Sequence, residues 1–196
     1  MNLICLSGGA KGSDNLFAIL GEENGYVTYN MSFNGHNCCK EGKRIILSSE
    51  ELNSRIEDYK AICNRLGRKE SSNNFIRNLM LRNTYQIKGK KSISDLVIAI
   101  GTTVGEHVDG GTGYAVDYAK TFNIPIVLLD KVYLKFYYWN YDNKTWDILN
   151  SRKLEEIIKS FIHKEEIFFT GIGSRNIDIN TCKERITKLI NCIKNY

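Results

Sequence analysis

The chain has 196 residues, of which 42% are hydrophobic, 25% charged and 11% aromatic, an ordinary globular mixture that excludes the disordered, collagen-like and coiled-coil classes. At roughly 100 to 200 residues per domain the length fits one compact domain, residues 1–196. The net charge of +5 is uneven: residues 65 to 91 hold eight basic side chains against one acid, Glu70, a stretch that suits either phosphate attraction or a solvated helix face.

In chain order, the apolar run NLICL (2–6) ends in SGGAKGSD, and DNLFAILGEE then has helical spacing. This is strand, glycine turn, helix. GYVTYNMSF (25–33) and RIILS (44–48) are β-rich, and SSEEL offers a capping serine for a helix over about 50–66. A second helix is expected from Asn73 to Ile87, with Phe75, Leu79 and Tyr85 on one apolar face. DLVIAIG (95–101) and IPIVLLD (124–130) are almost wholly apolar, as strands buried on both faces of a parallel sheet must be. The helix GYAVDYAKTF lies between them, and a strand, helix, strand unit argues for a parallel α/β sheet. KFYYWNYD and KTWDIL, joined at Asp142 and Asn143, predict a β-hairpin. LEEIIKSFI reads as a helix, EIFFTGIGSR as a buried strand ending in glycines, and TCKERITKLINCIKNY as a final amphipathic helix.

Sixteen glycines stand against a single proline, and ten of them fall in three clusters: Gly8, Gly9 and Gly12; Gly101, Gly105, Gly110, Gly111 and Gly113; Gly171 and Gly173. Each cluster follows an apolar strand. In open α/β sheets ligands bind at the carboxyl ends of the strands, where glycine lets backbone amides approach a phosphate. Three converging turns therefore predict a nucleotide-sized pocket. The residues between the glycines suit it: Ser7, Ser13, Thr112 and Ser174 offer hydroxyls, Lys11 and Arg175 positive charge, and Asp14 a carboxylate that either caps its helix or meets a ligand.

The six cysteines come with no secretory h-region and no run of 18 apolar residues, so the expectation is a reduced, cytoplasmic protein without a membrane segment. His36, Cys38 and Cys39 lack a second ligand pair at zinc-like spacing. No metal and no cofactor are expected.

Taken together, SGGAKGSD, LRNTYQIKG, GGTGYAVDYAKTFNIPIVLLD and FTGIGSR resemble the SLOG superfamily. That group takes in the Smf/DprA DNA-processing proteins, the LOG phosphoribohydrolases and many phage-type members without assigned activity. The resemblance implies a three-layer Rossmann-like α/β fold with a mainly parallel sheet and, here, an added hairpin. It also implies circular permutation, because the GIGSR-like strand that precedes the SGGA turn in most related proteins lies here at 171–175. The strand and helix at about 165–196 would then complete the sheet beside strand 2–6, with Tyr196 near Met1. Permutation of this kind is cheap when the termini meet at the surface.

Carried onto this chain, the resemblance assigns a first ligand turn to Ser7, Gly8, Gly9, Ala10, Lys11, Gly12 and Asp14, and a phosphate turn to Gly110, Gly111, Thr112 and Gly113. It assigns a third wall to Gly171, Gly173, Ser174 and Arg175, and a helix arginine near phosphate to Arg82, next to Asn83. The LOG motif PGGxGTxxE is matched by DGGTGYAVD, so Asp109 replaces the proline and Ala115 stands where the catalytic glutamate would be. Asp14, Glu106, Asp109 and Asp117 are the acids available to substitute.

Three functions follow as expectations. The first is a module that senses or sequesters a signalling nucleotide in a phage or host-defence setting. The second is a LOG-like hydrolase of the N-glycosidic bond, which needs a carboxylate beside an oxocarbenium-like transition state. The third is single-stranded nucleic-acid binding by the basic stretch and the hairpin aromatics Phe136, Tyr137, Tyr138, Trp139, Tyr141 and Trp146. Clustered Tyr and Trp also suit an interface core, so a homo-oligomer, in the simplest case a dimer, is expected.

Overall fold

The structure, a computed structural model, describes residues 2–196; the expected neighbour of Tyr196, Met1, lies outside the described residues. Eight strands form one sheet, six of them parallel. Its first strands, β1 (Asn2–Ser7), β2 (Val27–Phe33) and β3 (Lys43–Leu47), run outward to one edge. On the other side stand β4 (Leu96–Gly101) and, after the small hairpin of β5 (Thr103–Val104) and β6 (His107–Val108), β7 (Ile126–Asp130). The aromatic hairpin, β8 (Phe136–Asn140) and β9 (Thr145–Ile148), adds two antiparallel strands beyond β7. The last strand, β10 (Glu166–Gly173), fills the gap between β1 and β4, parallel to both, in the order β3-β2-β1-β10-β4-β7-β8-β9. Every residue of β4 and β7 is buried, which is why those strands read as unbroken apolar runs.

Helices cover both faces. On one side α1 (Ser13–Asn24) packs Leu16, Phe17 and Leu20 onto the sheet. The opposite layer comes from α2 (Ser49–Asn53), α3 (Ile56–Arg65), α4 (Asn74–Ile87) and α5 (Thr112–Lys120), with Leu52, Ile62, Leu79, Leu81 and Val116 buried. The first layer closes with α6 (Ser151–Lys159) and α7 (Ile179–Lys194), which add Ile157, Ile158, Ile186 and Leu189. Helices on two faces of a mostly parallel sheet are consistent with a Rossmann-like three-layer arrangement.

Two details differ from the sequence expectation. The helix expected over 50–66 is two helices, α2 and α3, parted at Ser54 and Arg55. Ser54 Oγ donates to the Glu51 carbonyl at 2.7 Å, and Arg55 lies over the Tyr85 ring while reaching the Lys88 carbonyl, so tertiary partners turn the chain where periodicity alone continues it. The hairpin turn spans Tyr141 to Lys144 rather than Asp142 and Asn143 alone; Asn140 Oδ1 accepts from both of their amides and Lys144 sits at φ 55°.

The hairpin aromatics are used in packing. Phe136 and Tyr138 lie against one core and Tyr137, Trp139, Tyr141 and Trp146 against the other. Lys120 sits 3.0 Å from the Trp139 ring centroid and 5.3 Å from that of Trp146. Much of the basic stretch is likewise engaged within the chain: Arg65 pairs with Asp117 at 2.7 Å, Lys90 with Glu51, and Arg68 lies over Tyr114.

Candidate functional site

The segments after β10 and β4 leave toward opposite faces of the sheet, one to α7 and the other to α5. Between such strands an α/β sheet opens a crevice at its carboxyl edge. Here the crevice is a cavity of about 350 Å³, at the small end of the range for ligand pockets.

Hydrogen bonds stitch its rim together. Ser13 donates from both its amide and its hydroxyl to the Ser174 carbonyl, at 3.1 and 2.8 Å, and the Ser174 amide donates to Ile100 O at 2.9 Å. Lys131 Nζ reaches Ser174 Oγ at 3.3 Å and Asp109 Oδ2 at 3.6 Å. The Gly110 carbonyl accepts from Arg68 at 2.7 Å and the Gly111 carbonyl from Asn83 at 3.1 Å. With those carbonyls held from behind, the turn leads into the amino end of α5, where Gly111 is the cap residue and no side chain caps the helix. Such an end favours an anion.

At the floor lies a buried ion pair. Arg82 Nη1 stands 3.2 Å from Asp14 Oδ2 and 2.6 Å from Gln86 Oε1, with both charged side chains almost wholly buried. Gly8 makes room for it, because a Cβ there would overlap the guanidinium. Asp14 does not cap α1, whose cap residue is Gly12. Its Oδ1, like Arg82 Nε and Gln86 Nε2, makes no hydrogen bond of good geometry, although the Ala10 and Gly173 backbone lies close enough to favour the carboxylate, and buried polar atoms in that condition ask for an explanation such as an ordered water, an ion or a ligand. Burial pushes the Asp14 carboxyl above its ordinary range while Arg82 pulls it down.

Of the residues singled out in the sequence, Ala10, Asp14, Arg82, Asn83, Gly110, Gly111, Thr112, Gly173, Ser174 and Arg175 line this cavity. Lys11 and Gly12 line an adjoining one. The other five serve the frame. Ser7 Oγ donates to the Gly171 carbonyl at 2.7 Å beneath the floor, and a Cβ on Gly171 would enter the Phe17 ring. Gly8 and Gly9 back the turn, and Gly113 lets α5 pack against the Val108 carbonyl. The acids divide similarly: Asp14 and Asp109 line the cavity, whereas Asp117 is held by Arg65 and Ala115 is buried in the core of α5. Sequence reasoning missed Lys131, whose signal was its place just past the carboxyl end of the buried strand β7. It also missed the wall of Ile76, Leu79 and Met80, which periodicity assigns only to a core face.

Beside the first glycine turn, His36 is buried, stacks on Phe33 and lies 3.0 Å from Ser32 Oγ. Burial, with Arg82, Arg44 and Arg175 nearby, pushes it down to about 4. The Cys38 thiol is lowered, first by the neighbouring Cys39 thiol, with Arg44 and Arg82 helping against burial. Among the described residues no group of three or more His, Cys, Asp or Glu side chains could hold a metal ion, and no helix is long and apolar enough to cross a membrane. Comparison of the chain with protein-family models, curated proteins and solved structures returns no match.

Proposed function

We propose that this chain is a circularly permuted SLOG-like domain that binds a nucleotide or nucleotide-derived molecule and senses or sequesters it without cleaving it. The observation that carries the reading is a cavity rimmed by the three glycine-bearing turns and lined by Asp14, whose buried Oδ1 has no partner. In this reading a ribose hydroxyl or a base amino group donates to Oδ1, a phosphate meets the uncapped end of α5 at Gly111 and Thr112, and the apolar part of the ligand lies against Ile76, Leu79 and Met80. Arg175 and Lys131 supply charge at the rim.

Binding is favoured over hydrolysis by the state of the acids. Ala115 has no carboxylate, Asp109 is tied to Lys131 and to the Thr102 amide, and the other oxygen of Asp14 is occupied by Arg82. A general base needs a free, correctly placed acceptor toward water; Asp14 Oδ1 is the one such oxygen among these acids, and in this reading the ligand's own donor occupies it. Single-stranded nucleic-acid binding has little support, because the hairpin aromatics that would stack on bases are committed to the two cores.

The test is calorimetric titration with a panel of nucleotides, followed by mass spectrometry of the recovered ligand. The reading expects saturable binding and a chemically unchanged ligand. Release of free base would replace it with the hydrolase, and absence of binding across the panel would remove it.

A further inference from the structure

A second cavity, of about 460 Å³, adjoins the first and shares Lys131, Arg175 and Asn176 with it. The two are lobes of one cleft, and the charge differs between them. In the first lobe Arg82 is matched by Asp14 and Lys131 by Asp109. The second lobe adds Lys11, and neither Lys11 nor Arg175 makes an ion pair among the described residues. Its one carboxylate, Asp178, lines the lobe but is engaged in capping helix α7: Oδ1 accepts from the Asn180 and Thr181 amides, and Oδ2 from Thr181 Oγ1 at 2.7 Å. Gly12, at φ 96°, brings these cations together, because a Cβ there would strike the Arg175 backbone. A side chain at that position would part the two loops.

We propose that the second lobe is an anion subsite, and that the ligand is a nucleotide carrying at least one phosphate beyond the one held at the Gly110–Thr112 turn. This rests on the nucleotide reading above. A longer phosphate chain and a second phosphorylated moiety share the chemistry, so the probes separate them: a nucleoside monophosphate, the corresponding diphosphate, and a dinucleotide joined through its phosphates. The two unpaired cations, Lys11 and Arg175, outnumber the single carboxylate of Asp178 in this open lobe and attract a phosphate through partly screened charge.

The measurement is the ratio of diphosphate to monophosphate affinity by calorimetry at about 0.1 M salt, where the Debye length is about 10 Å, for the wild-type chain and for Lys11→Glu. Lys11 is exposed, so charge reversal alters the lobe without disturbing the core. The expected ratio is about tenfold, equivalent to one power of ten in Kd, falling to about one in the variant. Dinucleotide affinity above that of the diphosphate assigns a second moiety to the lobe, and equality assigns a phosphate chain. A wild-type ratio near one, or a ratio that Lys11→Glu leaves untouched, overturns the subsite while the nucleotide reading stands. Failure of every nucleotide to bind the wild-type chain overturns both.

Discussion

Two regions of this molecule gather the residue types that usually mark a binding site, and they end in opposite conditions. Around the hairpin, Lys120 is enclosed by Trp139 and Trp146, and its ammonium donates to the Glu106 carbonyl, which also accepts from Trp146 Nε1 at 3.2 Å. Its charge is answered within the chain, although burial still pushes the amine down to about 8. At the cavity floor Arg82 is also buried and also paired, yet Asp14 Oδ1, Arg82 Nε and Gln86 Nε2 are left without partners. The difference is that the hairpin's polar groups are answered within the chain, whereas the cavity floor keeps polar valence that a ligand could meet.

The largest expected effect breaks the floor. Asp14→Ala leaves the Arg82 guanidinium buried without its carboxylate, and removing one partner of a buried pair costs about 3–5 kcal/mol, measurable by urea denaturation. Trp139→Ala opens a cavity between hairpin and α5 and costs about 3 kcal/mol or more. The two variants then sharpen the contrast, because Trp139→Ala keeps the nucleotide affinity of the folded protein and Asp14→Ala does not.

His36 gives a smaller effect with a defined sign. Its folded value is lowered, to about 4 from 6.5, so between those values the unfolded chain takes up a proton that the folded one refuses. Stability is therefore fully present above pH 6.5 and is lost as pH falls toward 4. The fall is about 1–2 kcal/mol after allowance for solvent screening, and His36→Asn flattens that limb of the stability curve. Lys120→Met, which removes the cation from the two tryptophans while keeping the stem, costs about 1 kcal/mol. Smallest in stability terms is Cys38. Its alkylation by iodoacetamide should rise at a pH below that of an ordinary thiol, ahead of the buried Cys5, whose thiol is pushed far upward by burial.

Much of the framework was legible because its signals are local. The unbroken apolar runs of β4 and β7 declare burial on both faces, and Ser48 caps α2 with its own side chain. The break between α2 and α3 was not, since it is made by Tyr85 and Lys88 from another helix and the loop that follows it. The site divided along the same line. Glycines at strand ends pointed to the edge of the sheet where the cavity lies, but sequence does not tell a glycine that opens onto a cavity from one that admits a neighbouring residue. Gly110 has open space where its Cβ would be, whereas Gly8 and Gly171 are filled by Arg82 and Phe17. Lys131 needed the sheet order, which sets the end of β7 beside β4 and, one strand further, the turn after β10.

The central claim is that the three turns form one nucleotide site. Amide hydrogen exchange with and without a saturating nucleotide tests it most directly. The account predicts slowed exchange at Gly111 and Thr112, at Ser174 and Arg175 and in the turn before Asp14, with the hairpin amides of Phe136 to Ile148 unchanged. Protection confined to the hairpin, or to only one of the three turns, would contradict it.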